Sequence, residues 1–188
     1  CPGIIAANTL HDNLDSYTVI DIRSASAYIA GHIPGAYNSS LATLMADLDS
    51  GAIPTDKPFV VACYSGQSAG HAKIALSLLG YEAYTLKFGM SSWSSATRTA
   101  WDNATVNADP TNRNLLTSPE TTDNNGSLTV HDFPTLMEGA STVVHDRVAA
   151  MLESGFKSIS YATYSANPDQ YFVVNRSKST RLNSSHVR

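Results

Sequence analysis

Cysteine is almost missing from this sequence: among 188 residues there are two, Cys1 and Cys63. Neither sits in a CxxC pair, and the six histidines form no HxxxH pair, so the ligand spacings typical of zinc sites are lacking and no metal is expected. Charge is sparse as well. Asp, Glu, Lys and Arg make up 15% of the chain, against roughly 25% in an average globular protein. The net charge is −4 and no run of Lys or Arg occurs outside the last residues, which argues against nucleic acid or an anionic membrane as a partner. No segment reaches the roughly 20 consecutive apolar residues of a membrane span, and no signal-peptide pattern opens the chain. Cys1 stands where a methionine would. It has two readings: a sequence that starts inside a longer gene, or the lipidated first residue of a mature lipoprotein in the cell envelope or periplasm.

What is present is apolar: 43% of residues are hydrophobic, enough for a substantial core. Tyr17 to Ile22, "YTVIDI", reads as a short strand, followed by a helical turn that Gly31 closes. "HIPGAYN" turns into a second brief strand, and Leu41 to Leu48 has helical spacing. After the loop "GAIPTDKP", "FVVAC" reads as a buried strand and Ala69 to Leu79 as a helix capped by Gly80. "EAYTL" is a further strand, and a helix is expected from after Gly89 to about Trp101. Strands alternating with helices at this spacing predict an α/β fold, a parallel sheet with helices on both faces.

From Asp102 the composition turns polar, and residues 102–132 read as a linker or long loop. A helix is expected from Gly139 to Ser154, with Val143, Val144, Val148, Met151 and Leu152 on its apolar face and Gly155 as its stop. An internal repeat follows. Thr9 to Asp21 and Thr163 to Asn175 share five identities in thirteen positions, at the 154-residue offset that separates Tyr17 from Tyr171.

The stretch "FVVACYSGQSAGHAK" carries the chemistry. A parallel strand that ends in a tight loop feeding a helix puts that loop at the carboxyl edge of the sheet, where open α/β folds build their sites. Cys63 would stand there. Backbone N–H groups of Tyr64, Ser65, Gly66, Gln67, Ser68 and Ala69 would curl around its sulfur, helped by the positive end of the helix. Gly66 permits the dihedrals of such a curl, and the same donors would stabilise a persulfide or a bound anion. The loop chemistry alone fits equally well a buried structural cysteine.

The residues "CYSGQSA", preceded by "VIDIRSASAYIAGHIPGAYN" and followed by "LKFGMSSW", resemble the rhodanese domain, a sulfurtransferase fold, over about Tyr17 to Trp93. The resemblance implies a three-layer α/β domain over residues 1–101 in which Cys63 accepts a sulfane sulfur as a persulfide and passes it to a thiol or cyanide, with no cofactor. It further implies that Asp21 and Arg23 support the site and the fold, and that Gly31 to Ala36 is a fold signature. For Arg23 a salt bridge, and for His32 a turn hydrogen bond, are favoured over catalysis, and Trp93 is expected in the core. Two departures matter. Tyr64 to Ser68 hold no charge, whereas rhodaneses that use thiosulfate often carry a basic residue in this loop. Ala69 occupies the position where the related cysteine phosphatases need an arginine to grip phosphate. The alternative to an enzyme is a catalytically silent rhodanese-like binding module.

Read with the repeat, the resemblance implies a tandem protein in which residues 133–175 open a second rhodanese-like domain whose remainder is missing. Residues 176–188 break character: Lys178 to His186, "KSTRLNSSH", matches the translation of a common sequencing-library adapter, so this tail is expected to be non-native.

Overall fold

The computed structural model describes residues 3–99, 102, 141–167 and 170–171. Five strands form one wholly parallel sheet: β1 (Ile4–Ile5), β2 (Thr18–Asp21), β3 (Tyr37–Asn38), β4 (Phe59–Ala62) and β5 (Ala83–Leu86), in the order β1-β5-β4-β2-β3. Between them run α1 (Ala7–His11), α2 (Ala25–Ala30), α3 (Leu44–Asp49) and α4 (Gln67–Leu78). The fold is the expected α/β sheet with helices, and its two faces can be read from the central strands. Alternate residues of a strand point to opposite sides. Ile20, Phe59, Val61 and Cys63 join Leu44, Ala72, Ala75 and Leu76 in one core. Val19, Val60, Ala62 and Leu86 join Leu10, Ile33 and Met90 in the other. All four β4 residues are buried, as a central parallel strand covered on both faces requires.

Helix ends follow local chemistry. Ser24 caps α2, its hydroxyl accepting the Ala27 N–H, the usual service of a serine at that position. Gly80, at φ +91°, ends α4: its N–H reaches the Ser77 carbonyl and the Tyr81 N–H reaches that of Leu76. This paired closure needs a left-handed residue, which glycine supplies without strain. Helix α3 begins at Leu44 rather than Leu41 because Ser40 and Thr43 tie a hydrogen-bonded turn ahead of it.

Three expectations are corrected. The two-residue β1 and the short α1 fall in a stretch where the sequence predicts no element. The helix expected from Gly89 to about Trp101 is replaced, over its described part, by 3₁₀ turns at Gly89–Ser92 and Ser95–Thr97. They are separated by an extended Ser94 whose side chain accepts the Ala96 N–H, the local bond by which serine competes with a continuous helix. The third correction concerns α5 (Ser141–Glu153), expected to lie in a second domain and to lack the partners its apolar face would bury. It belongs instead to the same compact unit as the sheet. Val148 and Leu152, 3% and 1% exposed, enter the core that contains Ala72 and Leu76, and full burial of such side chains stabilises by about 1.5–3 kcal/mol each. His71 reaches the Met151 carbonyl at 3.3 Å, and the His145 Nε2 lies 3.2 Å from both oxygens of Asp49. Val143 and Val144, counted on the apolar face from the sequence, are exposed. Residues Lys157 to Tyr171 belong to a separate unit, in which α6 (Tyr161–Ala166) is capped by Ser160. The expected linker apart from Asp102, the opening of the expected second domain at 133–140, its end at 172–175 and the tail at 176–188 lie outside the described residues. No helix among the described residues is long and apolar enough to cross a membrane.

Candidate functional site

Strand β4 ends at Ala62, and α4 begins four residues past Cys63, at Gln67. The connection is short enough that the first turn of the helix folds back over the cysteine. The Gly66 N–H donates to Cys63 Sγ at 3.0 Å and the Ala69 N–H at 3.4 Å. Cys63 is 3% exposed, and its sulfur receives N–H groups that a helix start otherwise leaves without partners. Gly66 sits at φ +92°, where a side chain would be strained. The loop brings Ser65, Gly66 and Ser68 to partial exposure, leaves Tyr64 and Gln67 exposed and buries Ala69.

A second strand-end segment underlies this loop. The Met90 N–H donates to the Cys63 carbonyl at 2.8 Å, and Ser91 holds the Tyr64 carbonyl through its N–H at 3.1 Å and its hydroxyl at 2.8 Å. The approach is closest at Gly89, φ +57°: a Cβ there would stand 2.3 Å from the Cys63 carbonyl oxygen and 2.8 Å from the N–H nitrogens of Ser65 and Gly66. Gly89 and Ser91 are site residues that sequence reasoning left out. The signal available was a glycine within "LKFGMSSW", but its partner is backbone supplied by another strand, which no local pattern reveals.

Asp21 and Arg23 lie at the end of β2, next to β4 in the sheet. Arg23 Nε donates to Asp21 Oδ1 at 2.9 Å and Oδ2 at 3.1 Å, and its Nη2 donates to Oδ2 at 2.6 Å and to the Gly31 carbonyl at 2.6 Å. Asp21 has no exposure and Arg23 5%. The pair therefore anchors the Gly31–Ala36 turn to the sheet, and the guanidinium also lies 5.8 Å from the centroid of the Tyr64 ring. His32 is exposed. Its Nδ1 is 2.8 Å from the Tyr28 carbonyl, and its ring stacks on that of Tyr28 at 3.8 Å. Of the residues singled out from the sequence, Cys63 and its loop converge on one point, Arg23 touches that loop only through Tyr64, and His32 serves the neighbouring turn. Trp93 is partly buried against the second core.

At Tyr64 the loop borders a cleft of about 400 Å³, walled on its apolar side by Ala27, Ala30, Met90, Trp93 and Ala96 and on its polar side by Arg23, His32, Tyr64, Ser94, Thr97 and Thr99. The arrangement sets a buried thiol sulfur under backbone N–H donors, with a mixed polar and apolar cleft reaching the loop at Tyr64.

Comparison with known proteins gives one consistent result. The family model described as the rhodanese-like domain matches residues 6–96. The thiosulfate sulfurtransferase GlpE of Shewanella oneidensis is 35% identical over 85 residues, 43% of this chain and 79% of that protein. GlpE of Pseudoalteromonas translucida is 31% identical over 86 residues, covering 44% and 77%. Among solved structures, a rhodanese-related protein from Thermoplasma volcanium is 30% identical, covers 48% of this chain and 89% of its own, and superposes with a TM-score of 0.45.

Proposed function

Because the chain belongs to the rhodanese-like family, we propose that it is a sulfurtransferase in which Cys63 carries sulfane sulfur as a persulfide. The Cys63 thiolate attacks the outer sulfur of a donor, the donor's sulfur–sulfur bond breaks, and the leaving group departs with the electron pair. The outer sulfur, now on Cys63, is then attacked by cyanide or a thiol, which regenerates the thiolate. This is nucleophilic covalent catalysis. The observation that carries the reading is the pair of N–H groups, from Gly66 and Ala69, directed at Cys63 Sγ. They supply the donors that an anionic sulfur needs. The relatives are named for thiosulfate, which makes it the first donor to try.

The test is the intact mass of the protein after incubation with a sulfane donor and again after addition of cyanide. One sulfur atom should be gained and then lost, with thiocyanate formed, and Cys63→Ser should gain none. Failure of every donor to load the wild-type protein would leave a binding module as the reading.

A second proposal concerns the repeat. Helix α1 starts at Ala7 and α6 at Tyr161, the same offset that separates Tyr17 from Tyr171. The shared start supports reading Ser160 to Tyr171 as a second copy of Ala6 to Tyr17. Genomic sequence beyond Asn175 tests this: a further "GHIPGA"-like turn should follow.

A further inference from the structure

From Lys87 to Thr97 the chain is rich in hydroxyls, and most of their hydrogen bonds stay within that segment. Ser92 Oγ donates to the Lys87 carbonyl at 2.5 Å and to the Gly89 carbonyl at 2.9 Å. Thr97 Oγ1 donates to the Met90 carbonyl at 2.6 Å and to the Ser94 carbonyl at 3.0 Å, and Ser94 Oγ accepts the Ala96 N–H. The half-buried Ser91 differs. Its Oγ crosses to the cysteine loop and donates to the Tyr64 carbonyl at 2.8 Å, beside the bond from its own N–H at 3.1 Å. A carbonyl oxygen has two lone pairs, so two donors from one residue fix its direction. The peptide group from Tyr64 to Ser65 is planar and trans, and in such a group C=O and N–H point opposite ways. With the carbonyl held on Ser91, the Ser65 N–H points away from Ser91. It precedes the Gly66 N–H, which donates to Cys63 Sγ at 3.0 Å, and it has no acceptor among the described residues.

We infer that Ser91 is a positioning residue for sulfur transfer: by clamping the Tyr64 carbonyl it aims the Ser65 N–H at the outer sulfur of a loaded Cys63 and strengthens that donor. The inference rests on the sulfurtransferase reading. The outer sulfur of a persulfide stands about 2 Å beyond Sγ, and negative charge passes to it from the attacking thiolate. An amide whose carbonyl accepts two hydrogen bonds is polarised, and its N–H donates more strongly. Tyr64 to Ser68 contain no charged side chain, so the alignment of amides is what the loop offers the new charge. Ser91 acts through one peptide plane rather than by touching the sulfur.

The experiment follows sulfur gain at Cys63 by intact mass, against the concentration of thiosulfate or of propyl persulfide. Ser91→Ala removes the hydroxyl and keeps the N–H. It should cut the maximal loading rate about tenfold, the effect of weakening one hydrogen bond to a charged sulfur, while the half-saturating donor concentration stays nearly constant. Ser91→Thr, which restores a hydroxyl, should recover most of the rate. Ser92→Ala, which removes two bonds inside the same segment, should change the rate by no more than about twofold. A second measurement needs no variant: in the wild-type protein the Ser65 N–H should exchange with deuterium severalfold more slowly once Cys63 is loaded, because it has gained an acceptor. Ser91→Ala loading at the wild-type rate, a loss shared equally by Ser92→Ala, or a loss confined to donor affinity would overturn the inference and leave a sulfurtransferase. So would Ser65 exchange that loading does not change. No gain of sulfur from either donor would overturn both the inference and the function it rests on.

Discussion

At the carboxyl edge of the sheet, the turn after β2 is held by a full ionic pair, Asp21 with Arg23, buried almost without exposure. The neighbouring turn after β4 is held by neutral donors: N–H groups on a sulfur, and the N–H groups of Met90 and Ser91 with the Ser91 hydroxyl on two carbonyls. The difference teaches where the molecule spends charge. Charge goes to fixing architecture, and the cysteine loop is lined with neutral donors. A buried cation matched by a carboxylate cannot release its partner without a large desolvation cost, whereas a neutral N–H donor on a sulfur leaves no buried charge behind.

The largest effect should come from breaking the ionic turn. Asp21→Asn leaves the Arg23 guanidinium buried without a counter-charge and should cost about 3–5 kcal/mol, read as a shift in the denaturant midpoint. Replacing both residues with apolar ones of similar volume should recover most of that loss. A double variant as unstable as the single would show that the pair contributes more than mutual neutralisation. Next comes the dipole-held turn. Gly89→Ala sets a Cβ against backbone at 2.3 Å in addition to its positive φ, and the backbone conformation by itself costs about 1–3 kcal/mol. Gly66→Ala, whose nearest contact would be 3.3 Å, should be milder in both stability and sulfur loading, and the reverse ranking would unseat Gly89 as the support of the loop. Smaller still is Cys63→Ser. A hydroxyl oxygen can accept the same N–H groups, so unfolding free energy should change by no more than about 1 kcal/mol.

The smallest effect contrasts the buried pair with an exposed one. His145 has its pKa raised above the ordinary 6.5, first by the hydrogen bond to Asp49. A raised folded-state value means that this contact stabilises α5 fully below the ordinary value and fades as pH rises through the raised one. His145→Gln should abolish that slope. An unchanged slope would place the pH dependence elsewhere.

The sequence made the central strands legible because β2 and β4 are β-branched, apolar and bounded by turn residues, and it made the loop legible because a lone cysteine stood between a strand and a helix. Ile4 and Ile5 were not, since a two-residue strand has no period to read. Helix α5 was recognised as amphipathic, yet its partner was not: Val148 and Leu152 fit α4 from about 70 residues away in sequence, a contact that periodicity does not encode. The 3₁₀ turns after Gly89 were hidden by residues compatible with a helix, and the loop's dependence on Gly89 by a contact made to backbone.

Because the Ala69 N–H belongs to the first turn of α4 and points at Cys63 Sγ, this sulfur is also a piece of helix scaffolding. Whatever is bonded to the sulfur changes the acceptor that two amide protons sense. If Cys63 carries sulfur as proposed, the ¹⁵N–¹H resonances of Gly66 and Ala69 would gauge it from within, separating empty from laden protein in a resting sample without turnover, dye or mass change to follow.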